Sequence, residues 1–213
     1  MTDKTRENLL QSATEVFVKK GFSGARVDEI AREANANKAM IYYHFQSKEG
    51  LYKAVLLRQI SVVKELVLGA AESERDPLRR LQSLYDALGR AFQASPALPH
   101  MMIREVLAGG VHMDSEVAGA FKGIVDVVRT SVEEGARAGL LRDVNPLFLH
   151  VMMIAPLILF NVSRPYRERF LPLAAPDVDP LSADAFHAQL EDVLARFLEP
   201  CEDARAPNSR SHP

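Results

Sequence analysis

The sequence predicts an all-α protein in two parts, a three-helix N-terminal unit containing a helix-turn-helix and a larger helical body. Three observations predict it. Apolar residues recur with the period of a helix throughout, and no stretch shows the strict alternation of a half-buried strand. Helix start and stop residues punctuate that pattern at regular intervals. Residues 27–44 fit two short helices and a tight turn into eighteen positions. With 47% hydrophobic and 25% charged residues, a chain of 213 has the means to bury a sizeable core.

The elements follow in order. Leu9, Leu10, Ala13, Val16 and Phe17 form an i, i+1, i+4, i+7, i+8 stripe, so a helix is expected from about Thr5 to Lys20, with Gly21 as its stop. A short helix is expected from about Val27 to Ala34 and another from Lys38 to His44. Ser47 caps a long fourth helix carrying Leu51, Val55, Ile60, Val63 and Val67. Asp76-Pro77 and Asn145-Pro146 each combine an N-cap with Pro at the first helical position, and Gly109-Gly110 and Gly139 mark stops. The helix opened by Asn145 is apolar almost all round (PLFLHVMMIAPLILFNV). His150 and Pro156 interrupt it and it is shorter than the ~20 residues of a membrane span. One side is expected to face the core and the other a second copy of the chain. A last amphipathic helix runs from about Ala183 to Leu198, carrying Phe186, Leu190, Val193, Leu194 and Phe197. The polar tail Glu199–Pro213 is expected to be disordered. The domain division is 1–47, 48–198 and the tail 199–213.

Residues 27–44, VDEIAREANANKAMIYYH, carry the most chemistry. Val27, Ile30, Ala31 and Ala34 give the first helix an apolar face, and Ile41 and Phe45 give the second its facing stripe. Ala31 is small enough for the helices to cross closely. Asn35 tolerates the left-handed backbone of a tight turn, and Asn37 caps the second helix. In a helix-turn-helix the second helix enters the major groove of DNA N-terminus first. Its side chains suit that task. Lys38 reaches a phosphate or a guanine edge, and Ala39 and Met40 offer contact to a thymine methyl. Tyr42, Tyr43 and His44 join aromatic bodies to polar tips suited to the sugar-phosphate backbone. Lys48, just inside the next helix, adds a cation and a free backbone N–H. A merely solvated helix face is the alternative.

Charge and motif content narrow the classes. The net charge is −2 and the pI about 6.3, which argues against an architectural protein that coats DNA non-specifically. Residues 1–60 carry +3 and the remainder −5, so a polyanion would meet the N-terminal part. There is no glycine-rich phosphate loop, nucleophile elbow or metalloprotease motif, so an enzyme is not expected. No signal-peptide pattern is seen at the N-terminus, which places the chain in the cytoplasm. Cys201 is the single cysteine and excludes intramolecular disulfides.

The stretch GFSGARVDEIAREANANKAMIYYHFQSKEGLYKAVL resembles the N-terminal domain of the tetracycline-repressor (TetR) family. The IYYHF-x-SKE-x-L core with Gly21-Phe22 upstream is specific, and the likeness covers roughly residues 5–58. The resemblance implies a homodimer that reads a palindromic operator in double-stranded DNA, with the Asn145 helix and the final helix of each copy forming a four-helix interface. It implies a small-molecule effector enclosed by the helices before them, whose binding moves the long fourth helix. By position, Lys38, Ala39 and Tyr42 would lie nearest the bases, and Tyr43, His44 and Lys48 would hold phosphates. The sequence departs from the pattern at four points. Arg26 lies in a stretch where a small hydroxyl residue is common and is expected to supply the phosphate contact with a full charge. Asn35 stands where Gly is common, and Met40 where Thr is. Gly50 replaces the usual second Glu, at an expected cost to the helix of ~1 kcal/mol.

The body is rich in adaptable apolar side chains. Phe92, Met101, Met102, Met113, Phe121, Met152, Met153 and Phe160 suit an apolar or aromatic effector, with plain core filling as the alternative for each. Arg104 and Glu105 interrupt an apolar helix, either as an ion pair or with Arg104 receiving an anionic group of the effector. His100, His112 and His150 lie on separate segments without a close-spaced pair, so neither a metal nor another cofactor is expected.

Overall fold

The computed structural model describes residues 2–178 and 181–200. Cys201 and the rest of the expected tail, residues 201–213, fall outside them. The described residues form ten helices: α1 Thr2–Gly24, α2 Val27–Glu33, α3 Lys38–Phe45, α4 Lys48–Glu72, α5 Pro77–Ala94, α6 Ala97–Leu107, α7 Ser115–Arg137, α8 Pro146–Val162, α9 Arg164–Ala174 and α10 Ala183–Leu198. The expected stripes are the ones buried. Leu9, Leu10, Ala13, Val16 and Phe17 of α1 close over Ile30 and Ala31 of α2 and Ile41 and Phe45 of α3. Helix α4 packs on α1 and α3 and also on α5, α6 and α7, so the N-terminal three-helix unit and the body share one continuous core.

The caps account for most of the boundaries. The side chains of Asn37, Ser47, Asp76, Asp114, Asn145 and Ser182 each accept a hydrogen bond from a backbone N–H in the first turn of the helix they precede, satisfying donors that a helix leaves unpaired. The regular part of α1 ends at Gly21, where φ is +69°. Glycine suits that left-handed backbone, and a Cβ there would also lie 2.9 Å from Nη1 of Arg104, which would have to shift.

Gly50 has a different meaning from the one its helix propensity suggests. The chain folds back at Gln46 (φ +68°), which brings the end of α3 onto the first turn of α4. A Cβ at Gly50 would lie 2.0 Å from the carbonyl oxygen of Phe45. Gly50→Ala is therefore expected to lower stability by ~1–3 kcal/mol, the scale of an overpacked site, although Ala favours a helix. A urea melt of the two proteins checks this; a variant more stable than the parent would refute the close approach.

Helix α8 is two-faced, as its composition requires. Leu149, Met153 and Leu157 are buried, while Leu147, Phe148, Val151, Met152 and Leu159 are exposed. Among the described residues no single helix is long and apolar enough to cross a membrane. Helices α8 and α9 qualify only together, and they are bent by 74°. Helix α9 is the element that periodicity passes over: it is short, has no buried residue and contains Pro172. Its elbow is held by Arg167, which lies 3.6 Å over the Phe160 ring and donates to Phe160 O and Ser163 Oγ.

Candidate nucleic-acid interface

Helix α3 is presented by the turn between Glu33 and Lys38. Asn35 takes up φ +50°, and Asn37 Oδ1 accepts from Ala39 N at 2.9 Å. Ile41 and Phe45 anchor one side of the helix in the core. The opposite side carries Lys38, Ala39, Tyr42 and Tyr43 to solvent, Tyr43 being 73% exposed. Arg26, at the N-cap of α2, is also exposed and its side chain makes no cap bond. Glu29 braces this unit from behind: it accepts from Lys20 at 2.5 Å, and that hydrogen bond holds its carboxyl below the usual range.

Three of the sequence-predicted contacts are placed differently from a free helix face. Met40 is half-buried and packs against the core, so its side chain is less available to a thymine methyl than that of Ala39. His44 is half-buried, with its ring edge-on to Tyr43 at 5.0 Å. Lys38 is paired with Asp28 of α2 at 2.9 Å, and the hydrogen bond, then the charge, raises its pKa. Asp28 has no signal in the sequence as a partner of Lys38, because ten positions and a turn separate them. An acceptor on DNA that took Lys38 would displace a carboxylate, which would cost affinity without barring contact. Lys48 sits over the Phe22 ring at 4.5 Å, which fixes the lysine stem beside the N-terminus of α4.

Phe22 continues into the joint between the reading unit and the body. Its ring meets Tyr52 (5.2 Å) and His112 (4.2 Å), and Tyr52 meets Phe17 edge-on at 4.8 Å. Glu105, 2% exposed, accepts from the Tyr52 hydroxyl at 2.8 Å and from His112 N at 3.1 Å, and His112 Nδ1 lies 2.9 Å away. Burial, then the hydrogen bond to Glu105, pushes the Tyr52 phenol well above its ordinary value. Arg104 points the other way and donates to Val18 O (3.2 Å) at the end of α1. The adjacent pair is thus neither an ion pair with itself nor grouped with the effector residues. It grips α1 with one member and α4 with the other. Sequence reasoning singled out both residues but had no means of seeing their partners, which lie 53 and 86 positions away.

The residues proposed for an effector do not gather around one cavity. Phe92 and Met101 are buried in the core; Met102, Met113 and Phe121 pack against it half-buried. Met152 is 40% exposed. Phe160 stacks on Phe186 of α10 at 4.0 Å. Met153 lines a cavity between α5, α8 and α10 together with Tyr85 and Glu191. His100 Nδ1 lies 2.8 Å from O of Pro96, the residue that precedes its helix, and burial alone holds His150 below the usual histidine range.

A short helix presented N-terminus outward by a tight turn, fixed to an all-helical body, defines a helix-turn-helix DNA-binding regulator. Comparison with known proteins makes the class specific. Residues 9–55 match the family "Bacterial regulatory proteins, tetR family", and residues 77–195 match "Tetracyclin repressor-like, C-terminal domain". The chain belongs to the TetR family of transcriptional regulators. It is 33% identical over 172 residues to the HTH-type transcriptional repressor NicS of Pseudomonas putida, covering 79% of this chain and 81% of that protein. It is 29% identical over 150 residues to the HTH-type transcriptional regulator RutR of Escherichia coli, covering 70% of each. A bacterial regulatory protein of the TetR family from Rhodococcus RHA1 shares the fold with a TM-score of 0.75 at 18% identity, over 93% of this chain and 98% of that one.

Proposed function

We propose that the protein is a ligand-responsive repressor, not an enzyme, that acts in the cytoplasm and binds a palindromic operator as a homodimer. The observation that carries this reading is the exposed face of α3. Lys38, Ala39, Tyr42 and Tyr43 project from one side of a helix whose other side is locked into the core, with Lys48 and Arg26 flanking it. Lys38, Ala39 and Tyr42 are assigned to base edges. Tyr43, His44, Lys48 and Arg26 are assigned to phosphates. The exposed apolar side of α8, adjoining α10, is assigned to the second copy, which spaces the two reading heads for half-sites one helical turn or more apart. The division between reading unit and body is placed between Ser47 and Lys48. A small molecule binding in the body would act through the α6 joint and α4 to change that spacing. Similarity to a named repressor supports the sign of regulation.

The test is selection from a random DNA library with the parent protein and a Tyr42→Ala/Lys48→Ala double variant. The parent is expected to recover a palindrome and the variant none; failure of the parent to enrich any motif would refute sequence-specific binding. Single variants separate the roles. Tyr42→Ala is expected to weaken operator binding by ~1–3 kcal/mol, roughly 5- to 150-fold, and random DNA far less. Lys48→Ala is expected to weaken both equally and to reduce the salt slope by about one. Equal losses for Tyr42→Ala on operator and random DNA would remove it from the base-reading set.

A further inference from the structure

The cavity between α5, α8 and α10 is walled by Leu81, Leu149, Met153 and Leu194, with Tyr85, Gln82 and Glu191 as its polar members. Tyr85 is 1% exposed and its hydroxyl has no hydrogen-bond partner; both ring nitrogens of His187 on α10 are buried and unbonded as well. The two rings stack at 4.5 Å, and Asp86 stands 3.6 Å from His187 Nε2. Gly89 permits the stack, since a Cβ there would lie 2.3 Å from the His187 ring. Buried polar atoms are ordinarily paired, and unpaired ones destabilise a fold unless something else is gained.

We infer that this seam is the seat of the effector, and that the effector is a compact apolar molecule bearing a hydrogen-bond donor, a weak base rather than an acid. The inference rests on the proposed ligand-responsive reading and names the ligand class for it. The walls are apolar, as small-molecule sites are. Glu191 is the one carboxylate that lines the cavity, beside Tyr85, and no Lys or Arg lines it; Asp86 and His187 adjoin it, with the exposed Arg90 paired to Asp86 at 2.6 Å. Burial, then the charge of Glu191, pushes the Tyr85 phenol up. A carboxylate or phosphate would meet that same field. An ammonium or N–H donor gains the phenol oxygen and the carboxylate. The cavity volume is about 10 Å³, so a ring-sized molecule is admitted only as α10 moves off α5. That separation breaks no hydrogen bond between Tyr85 and His187, because none is made. Occupancy then acts on α8 and α10, the helices assigned to the second copy, and reaches the α6 joint through the packing of α6 on α8. Of the residues expected for an effector, Met153 lines this cavity, while Phe92 and Met101 are buried in the core away from it.

The test uses the full chain with ¹³C-methyl methionine, titrated with benzylamine, benzoate and toluene, which share a ring and differ in the head group. The Met153 methyl is expected to shift with benzylamine, with Met101 and Met102 unmoved. Benzylamine is expected to bind at least tenfold more tightly than benzoate. Glu191→Gln, a conservative change at a half-buried position, should abolish that preference, and Tyr85→Phe should bring benzylamine close to toluene. A silent Met153, shifts at Met101 or Met113 instead, or benzoate binding as tightly as benzylamine would each overturn the inference. Operator binding is read separately by fluorescence anisotropy. A chain that binds its operator while Met153 stays silent loses this seat and keeps the regulator reading. A chain that selects no DNA sequence loses that reading whatever Met153 does.

Discussion

Phe148→Glu is expected to leave the protein monomeric at micromolar concentration and without measurable operator binding. Phe148 is 50% exposed on the outer side of α8, with Leu147 and Val151 beside it and Phe197 of α10 behind it at 6.0 Å. Large exposed apolar patches of this kind mark interfaces. In a two-fold interface one substitution acts twice, because each copy presents the same patch. An uncompensated buried charge costs ~3–5 kcal/mol, so two weaken association by roughly four orders of magnitude or more. The folded subunit loses little, since the side chain is half in solvent within one chain. Light scattering is expected to show a single-subunit mass with the helical circular dichroism unchanged. A variant that stays dimeric would remove α8 from the interface and, with it, the assigned spacing of the reading heads.

Removing the Glu105 side chain is expected to produce the largest loss of stability among single polar substitutions in the body. Glu105→Ala leaves the Tyr52 hydroxyl and the His112 ring and backbone N–H without their acceptor, in a joint where Glu105 is 2% exposed and Tyr52 1%. Leaving buried donors unmet costs ~1–3 kcal/mol each, and because Tyr52 is fully buried but His112 only half-buried, the three together are expected to cost ~3–5 kcal/mol. For a chain of this size that lowers Tm by roughly 6–20 °C. Glu105→Gln keeps one acceptor oxygen and the shape, and is expected to lose less than half as much. The pair also separates stability from coupling. If the joint transmits the effector signal, Glu105→Gln retains operator binding but responds less to the effector. Equal melting temperatures for Glu105→Ala and the parent would show that the joint contributes no net stability.

Much of the architecture was legible in the residues because it depends on short-range physics. The apolar stripe of α1, the caps Asn37, Ser47, Asp76 and Asn145, and the left-handed Asn35 act within a few positions of themselves. Each therefore leaves a local pattern. The two-faced burial of α8 was legible for the same reason. The exposed residues of α3 were named from the helix-turn-helix pattern, the resemblance to the TetR family divided them between bases and phosphates, and the structure exposes Lys38, Ala39, Tyr42 and Tyr43 together. Helix α9 escaped because it buries nothing, so no stripe announces it.

What the sequence determined by itself was the succession of helices and the helix-turn-helix among them, since periodicity, caps and turn residues encode these over one or two turns of chain. Only the tertiary structure decided which side chains meet across distant segments. It paired Lys38 with Asp28, set Gly50 against the Phe45 carbonyl, joined Glu105 to Tyr52 and His112, sent Arg104 to the end of α1, and left Tyr85 unpaired beneath α10. Those outcomes depend on how helices pack in three dimensions, and a linear pattern carries no term for the distance between residues that only packing brings together.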